Sequence, residues 1–266
     1  MSALDDAFAR GRVEGRPLLI GYLPAGFPSV AGSIAALRTM VDAGVDAVEV
    51  GLPYTDPLID GPTIQRAVDL ALAGGVRTRD VLATVEAVAA TGVPTVVMTY
   101  WNPVAAYGVD RFARDLAGAG GVGLITPDLI PDEAAEWLAA SDAAALDRIF
   151  LVAPSSTDER IAMTAEHCRG FVYATSVMGV TGTRGATSTR APELVRRVRA
   201  ATALPIGVGL GVSNGAQAAE VGAYADGVIV GSAFVGCLLD APSEQAGVRA
   251  LGALTEDLAG GLRGSR

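Results

Sequence analysis

The chain has 266 residues, of which 50% are hydrophobic and 18% charged, and this composition excludes intrinsic disorder. Its formal charge of −9 argues against a nucleic-acid surface, because such a surface needs clustered basic residues. The polar start shows no signal-peptide pattern, and no apolar run approaches the length of a membrane span. We therefore expect a cytoplasmic protein without membrane or nucleic-acid partners.

Short apolar runs rich in β-branched residues recur along the chain, as is typical of parallel strands that helices cover. In chain order, we predict strands near Leu18–Tyr22, Ala47–Val50, Thr95–Thr99, Gly123–Thr126, Arg148–Val152, Gly170–Ala174, Pro205–Val208 and Gly227–Val230. Between the strands, apolar residues at three- and four-residue steps predict helices, which include Val30–Ala43, Thr78–Ala90, Val109–Ala117, Pro192–Ala201 and Ala216–Val221.

Strand–helix units that follow one another without a linker predict an α/β fold, a single (β/α)8 TIM barrel with residues 1–266 as one domain. An open doubly wound sheet is the alternative, although the Gly-rich signature that favours it is absent after the first strand. The segment Ser2–Arg10 predicts a short N-terminal helix that closes the barrel floor, with Asp5 and Asp6 on a solvated face. The segment Thr175–Arg190, rich in Gly, Ser and Thr, is interpreted as an active-site lid.

The chain contains no lysine, so all 20 basic residues are arginine, and its one histidine is His167. Without lysine, neither a Schiff base nor covalently attached pyridoxal phosphate can form on this chain. We expect His167 to be an exposed helix-end residue rather than a metal ligand, and Cys168 and Cys237 to be packing residues. With no metal site predicted, carboxylates are left to carry acid–base chemistry.

Glycine clusters follow the seventh and eighth predicted strands, at Gly207–Asn214 and Val230–Ala233. Glycine lets the backbone approach a ligand, and an extra short helix that starts at Ser232 would direct free N–H groups at an anion. The corresponding loops of (β/α)8 barrels often bind phosphate. We therefore predict a phosphate site at this position, with tight turns as the alternative.

Acidic residues surround the exit of the second predicted strand. Glu49 lies in the apolar run Asp46–Val50, where loss of hydration should raise its pKa and suit it to proton transfer near neutrality. The alternative is a buried structural Glu that backbone donors satisfy. Asp56 and Asp60 follow in a proline-bracketed loop, and either could cap the helix that starts near Pro62. From the loop alone, capping and catalysis are both open.

The string from Glu49 to Gln65, E-V-G-L-P-Y-T-D-P-L-I-D-G-P-T-I-Q, resembles the signature of the tryptophan synthase alpha subunit family. The resemblance covers essentially the whole chain. Further motifs that support it are Tyr100–Pro103, Thr126–Leu129, Gly179–Gly182, Gly209–Gly211 and Gly231–Ala233. The chain departs from the family pattern at Phe27, Thr55, Ile59 and Val122. None of these departures affects Glu49 or Asp60, but Phe27 and Ile59 bear on local packing and loop closure.

The resemblance implies retro-aldol cleavage of indole-3-glycerol phosphate to indole and glyceraldehyde 3-phosphate. Protonation at C3 would make the indole ring its own electron sink, so the reaction needs neither lysine nor zinc. By resemblance, Glu49 is the general acid–base, and Asp60 accepts a hydrogen bond from the indole N–H and stabilises the cation. The implied substrate-lining residues are Tyr22, Tyr100, Tyr173 and the lid residue Thr181. The implied phosphate-binding residues are Gly182, Gly211, Gly231 and Ser232.

The resemblance also implies a partner, a beta subunit that carries pyridoxal phosphate and receives indole through a tunnel in an α2β2 heterotetramer. No cofactor is expected on this chain. The implied contact surfaces are the loop after the second strand, with Pro53 and Asp56, and the helical face near Asn102–Pro103. Three alternatives stay open: a stand-alone indole-3-glycerol phosphate lyase, a weakly catalytic subunit that mainly activates a beta partner, and another phosphosugar barrel such as an isomerase.

Overall fold

The computed structural model describes residues 2–175 and 190–264, and its strands form a closed barrel in chain order, each parallel to its neighbours. The strands are β1 (Leu18–Pro24), β2 (Ala47–Gly51), β3 (Thr95–Met98), β4 (Gly123–Thr126), β5 (Asp147–Val152), β6 (Val172–Thr175), β7 (Ile206–Gly209) and β8 (Gly227–Val230). Each predicted strand is confirmed to within two residues at either end. Because β1 pairs with β8, the barrel is confirmed and the open sheet is wrong.

The helices of the described part lie between the strands and at the two ends of the chain. They are α1 (Ala3–Val13), α2 (Val30–Asp42), α3 (Pro62–Ala73), α4 (Thr78–Ala89), α5 (Trp101–Tyr107), α6 (Val109–Gly118), α7 (Ala135–Ala143), α8 (Asp158–His167), α9 (Arg190–Ala201), α10 (Gly215–Gly222), α11 (Ser232–Leu239) and α12 (Glu244–Arg263). The named helix predictions, including the extra helix at Ser232, are confirmed. No helix within these described ranges is long and apolar enough to cross a membrane.

The inside of the barrel is filled by apolar side chains from alternate strand positions and from α1. Leu4, Ala7 and Phe8 of α1 belong to this interior cluster, and the Phe8 ring lies 5.7 Å from the Phe171 ring, centroid to centroid. The helix starts with a capping box, in which the Asp5 N–H donates to the Ser2 hydroxyl at 3.2 Å. The floor helix is therefore confirmed, with Asp5 serving as part of its cap.

A larger apolar core lies between the barrel and its helices. Its biggest members include Phe112, Trp137 and Phe234, all fully buried. Cys168 is buried in this core, where loss of hydration raises the pKa of its thiol to about 12, as suits a packing residue. His167 ends α8 as predicted but is half-buried rather than exposed, and its Nδ1 forms a hydrogen bond with a backbone carbonyl one turn earlier, at 2.8 Å.

Candidate active site

Glu49 lies in β2 beside Tyr22 of β1, its partner in strand register. It follows Ala47 by two residues, and Ala47 belongs to the interior cluster, so the Glu49 side chain faces the inside of the barrel. It is fully buried, and neither carboxyl oxygen has a hydrogen-bond partner among the residues that the structure describes. Burial raises the pKa of this carboxyl to about 8. The alternative of a structural Glu satisfied by backbone donors is therefore wrong.

Asp60 is held by Tyr100, the residue that immediately precedes α5. The Tyr100 hydroxyl donates to Asp60 Oδ1 at 3.0 Å and accepts from the Ile59 N–H at 3.1 Å. Burial raises the pKa of the Asp60 carboxyl, and the hydrogen bond from Tyr100 opposes that rise. The N-cap of α3 is Gly61, and no side chain caps that helix, so the capping interpretation of Asp60 is wrong.

Asp56, the other acid of this loop, lies in a different environment. It is exposed and accepts a hydrogen bond from the neighbouring Thr55 hydroxyl. It does not cap α3, because that helix starts without a side-chain cap. Among the residues that the structure describes, Asp60 has a hydrogen bond to a substrate-lining residue implied by the resemblance, Tyr100, and Asp56 has none.

Two buried tyrosines place Glu49 and Asp60 in a common site. Burial raises the pKa of Tyr22 well above its ordinary value, and the charges of Asp60 and then Glu49 raise it further. Burial also raises the pKa of Tyr173, with Glu49 and then Asp60 adding to the rise. Both carboxylates therefore lie within electrostatic reach of both phenols, and the structure brings these four predicted residues together with Tyr100.

Two glycines make room for these rings. A Cβ added at Gly51 would overlap the Tyr22 hydroxyl, and one added at Gly209 would lie 2.5 Å from the Tyr173 hydroxyl. Each glycine lies in a strand next to that of its tyrosine. No role was predicted for Gly51, although its position two residues after Glu49, on the inward-facing side of the strand, was a usable signal.

The loops after β2, β3 and β4 are tied together by polar contacts that the sequence did not reveal. The Trp101 N–H donates to Asp128 Oδ1 at 2.9 Å, and Asn102 Nδ2 donates to the Tyr54 hydroxyl at 3.1 Å. The rings of Tyr54 and Tyr100 are 5.5 Å apart, centroid to centroid. Each of these residues closely follows a predicted strand, and that position was the available signal.

Two helix N-termini lie at the predicted phosphate site, and they differ in how they are capped. At α10 the Asn214 side chain accepts from the Gln217 N–H at 2.9 Å, so this N-terminus is already capped. At α11 the N-cap is Gly231, and no side chain of the described residues caps the helix. The free N–H groups at Ser232 and beyond therefore suit an anion. Gly231 also lies beside Tyr22, since an added Cβ would sit 3.2 Å from the Tyr22 ring.

Other predicted residues fall as follows. Gly211 is exposed and has a φ of 61°, a left-handed conformation that favours glycine. Thr181 and Gly182 lie outside the described residues. Phe27 is buried in the outer core, so this departure from the family pattern is accommodated by packing. Within the described ranges, no group of three or more His, Cys, Asp or Glu side chains is arranged to hold a metal ion.

Comparison with known proteins gives one family. A family model for the tryptophan synthase alpha chain matches residues 8–260. The chain is 68% identical to the tryptophan synthase alpha chain of Salinispora arenicola over 263 residues, which cover 99% of this chain and 98% of that relative. It is 63% identical to the tryptophan synthase alpha chain of Acidothermus cellulolyticus, with the same coverage of both.

Solved structures agree with the sequence relatives. A crystal structure of tryptophan synthase from M. tuberculosis, in an open form with BRD0059 bound, has a TM-score of 0.91 at 58% identity and covers 99% of both chains. Tryptophan synthase subunit alpha from Legionella pneumophila str. Paris has a TM-score of 0.90 at 30% identity and covers 98% of both chains. The chain belongs to the tryptophan synthase alpha chain family, whose members are lyases that cleave indole-3-glycerol phosphate.

Proposed function

We propose that this chain cleaves indole-3-glycerol phosphate to indole and glyceraldehyde 3-phosphate by a retro-aldol reaction in which Glu49 and Asp60 are the catalytic residues. The observation that carries the proposal is Glu49 itself, a fully buried carboxyl without a hydrogen-bond partner among the described residues. Burial raises its pKa to about 8, so much of it holds a proton at neutral pH. Such a group can donate a proton and, once ionised, accept one.

The proton balance of the reaction follows from this. Protonated Glu49 donates to C3 of the indole ring, which places a positive charge on the ring nitrogen. The Asp60 carboxylate accepts a hydrogen bond from the indole N–H and stabilises that cation. Ionised Glu49 then takes the proton of the glycerol hydroxyl, the carbon–carbon bond breaks, and its electron pair returns to the ring. Glu49 ends in the protonated form in which it started.

The remaining residues bind and orient the substrate in this proposal. Tyr22, Tyr100 and Tyr173 line the space around the two carboxylates, and the family resemblance assigns Thr181 to substrate binding as well. The phosphate binds at Gly182, Gly211, Gly231 and Ser232, with the uncapped start of α11 as the main anion site. The contact between Gly231 and Tyr22 supports one continuous site from the phosphate to Glu49.

We further propose that a beta chain carrying pyridoxal phosphate receives the indole, in a cytoplasmic α2β2 complex, and that residues 1–266 act as one domain. Exposed apolar side chains on the loops after β2 and β4 support a partner at this end of the barrel. Leu58 is 75% exposed and Ile59 and Ile130 are each 44% exposed. Asp56 and Asn102 are also exposed, whereas Pro53 is buried and would support this surface from within.

The test is an indole-release assay on indole-3-glycerol phosphate, run with and without a beta chain of the same family. The proposal expects release by the isolated chain and faster release when the beta chain is present. Release that the beta chain does not change, with no co-elution, would favour a stand-alone lyase. Release only in the complex would favour the weakly catalytic subunit. A phosphosugar isomerase is excluded by the family to which the chain belongs.

A further inference from the structure

We infer that Asp128 is a positioning residue for this cleavage: it holds the start of α5 so that Tyr100 keeps its hydrogen bond to Asp60. The inference rests on the proposed function, since Asp60 is the group whose position is controlled. Asp128 follows β4 and is exposed. Within the described part of the chain it has no hydrogen bond to Asp60 or Glu49, so any effect must pass through other residues.

The first step is the contact between Asp128 and the backbone of α5. The Trp101 N–H, at the first position of the helix, donates to Asp128 Oδ1 at 2.9 Å and lies 3.1 Å from Oδ2. An N–H in the first turn has no acceptor inside its own helix, and a carboxylate at this end is also favoured by the helix dipole. Because α5 has only seven residues, one anchor at its start strongly influences its placement.

The second step runs from the backbone of α5 to the catalytic site. Tyr100 is the N-cap residue of α5 and shares a peptide unit with the Trp101 N–H. A shift of that N–H therefore moves the base of the Tyr100 side chain. At the other end of the ring, the hydroxyl donates to Asp60 Oδ1 at 3.0 Å and accepts from the Ile59 N–H at 3.1 Å. Helix α5 thus joins the loop after β4 to the loop that carries Asp60.

A second brace reaches α5 from the loop after β2. Asn102 Nδ2 donates to the Tyr54 hydroxyl at 3.1 Å, and the Tyr54 ring contacts the Tyr100 ring. This brace holds α5 on the side of Asp60, whereas Asp128 holds it on the side of β4. When Asp128 alone is lost, the contact between Asn102 and Tyr54 should still hold α5 against the loop after β2, while Tyr100 is displaced.

The hydrogen bond from Tyr100 also influences the charge of Asp60. Burial raises its pKa, and the hydrogen bond from Tyr100 opposes that rise. When this bond weakens, the pKa of Asp60 rises further and less of the residue is ionised at a given pH. Only the carboxylate stabilises a positive indole ring. Displacement of Tyr100 should therefore lower kcat and move the acid limb of the rate profile to higher pH, with little change in KM.

The kinetic test compares three single variants of the full chain in the indole-release assay. Asp128→Ala should lower kcat on the order of tenfold with KM nearly unchanged, as expected when a catalytic group is misplaced. Asp128→Asn keeps an acceptor for the Trp101 N–H and should restore most of the rate. Asp132→Ala is the matched control, because Asp132 lies four residues later and pairs with Arg160 instead of α5. Equal rates for Asp128→Ala and the control would overturn the inference.

A double-mutant cycle separates positioning from a general structural effect. Tyr100→Phe removes the hydrogen bond to Asp60, so Asp128→Ala should add little to the loss already seen in Tyr100→Phe. The two losses multiply in full if Asp128 acts by another route, and that result would overturn the inference.

A readout that does not depend on turnover is the pKa of Asp60 itself. It can be measured by carbon-13 NMR of aspartate-labelled protein, with Asp60→Asn to assign the signal. The pKa should rise in Asp128→Ala and in Tyr100→Phe but not in Asp132→Ala; no rise in Asp128→Ala would overturn the inference. If the unmodified chain releases no indole while this pKa rises as expected, the proposed reaction fails and the positional link between Asp128 and Asp60 stands.

Discussion

Two buried carboxyl groups lie at opposite ends of the barrel and differ in what surrounds them. Glu49 is close to the carboxyl end of β2, whereas Asp147 starts β5 at the floor, and they are 0% and 5% exposed. Burial is the main cause that raises the pKa of both. At Asp147 the Ser2 hydroxyl and the charge of Arg169 oppose this rise and the charge of Asp5 adds to it, whereas at Glu49 burial acts alone. Among the described residues, one carboxyl oxygen of Asp147, Oδ2, lacks a hydrogen-bond partner, whereas both oxygens of Glu49 lack one.

We propose that this difference distinguishes Glu49, an acid used in catalysis, from Asp147, an acid that belongs to the packed floor. An acid buried without compensation destabilises a fold, so its presence where barrels carry out reactions indicates a use in catalysis. The floor acid is instead part of a packed closure: a Cβ added at Gly170 would lie 3.1 Å from Asp147 Oδ2 and equally close to Leu4 of α1. We therefore expect changes at the two ends to affect different measurements.

Changing Glu49 to Gln should lower indole release by about a thousandfold or more, because an amide can neither give nor take the proton. The matched change Asp147→Asn at the floor should leave kcat nearly unchanged. Steady-state indole release and the affinity for a phosphate-bearing substrate analogue are the measurements, and the affinity should stay near that of the parent. Comparable losses of kcat in the two variants would contradict the separation of the two ends.

At the floor, Phe8→Ala should lower the free energy of unfolding by about 3–5 kcal/mol, since it removes a buried ring from the interior cluster. The reaction rate of the folded variant should change little, because the ring lies at the opposite end of the barrel from Glu49. Urea denaturation measures the first effect and indole release the second. A large fall in the kcat of Phe8→Ala with an unchanged free energy of unfolding would contradict this expectation, because the floor would then control the geometry of the active site.

The pKa of Glu49 has a consequence for stability with a definite sign. Burial raises its folded-state pKa to about 8, so between about pH 4.5 and 8 the folded chain binds more protons at this site than the unfolded chain. The stability that protonated Glu49 contributes is therefore present at low pH and is lost as the pH rises through about 8. When the pH is raised from 5 to 9, the free energy of unfolding of Glu49→Gln should increase relative to that of the parent by on the order of 3–4 kcal/mol. Denaturant titrations at the two pH values measure this gain, and a constant difference would rule it out.

Asp60→Asn should raise the barrier for cleavage by about 2–4 kcal/mol, because an amide stabilises a cationic ring less well than a carboxylate does. Its effect on stability should be small, since the amide oxygen can still accept from Tyr100. The rate of indole release and a thermal unfolding curve test both expectations. Near-normal turnover would remove Asp60 from the chemistry.

Much of the fold could be predicted from the sequence because its determinants are local. The apolar run Thr95–Met98 indicates a strand and the helical spacing of Thr78–Ala89 indicates a helix, and the closed barrel follows from repeating such units. The short helix α5 was implied only by the family resemblance, at Asn102–Pro103, because seven residues leave too little periodic pattern to predict a helix from spacing. His167 was expected to be exposed, but the depth at which a helix end packs depends on neighbouring elements.

Some residues of the candidate site could likewise be predicted from local sequence, whereas the roles of others depend on contacts between distant parts of the chain. Glu49 was recognisable because an acid in an apolar run is rare and its environment follows from the run itself. The role of Asp60 was open between capping and catalysis, because the choice depends on a hydrogen bond to Tyr100, 40 residues further along the chain. The link from Asp128 to α5 joins two separate loops and has no local sequence pattern at all.

The most direct measurement is the pKa of Glu49 in the folded chain, by carbon-13 NMR of glutamate-labelled protein with Glu49→Gln to assign the signal. We expect a carboxyl that titrates near 8, and a rate of indole release that falls as the pH rises through the same value. A Glu49 that titrates near its ordinary pKa of 4.5 would contradict the view that this acid is buried, uncompensated and held ready to donate a proton.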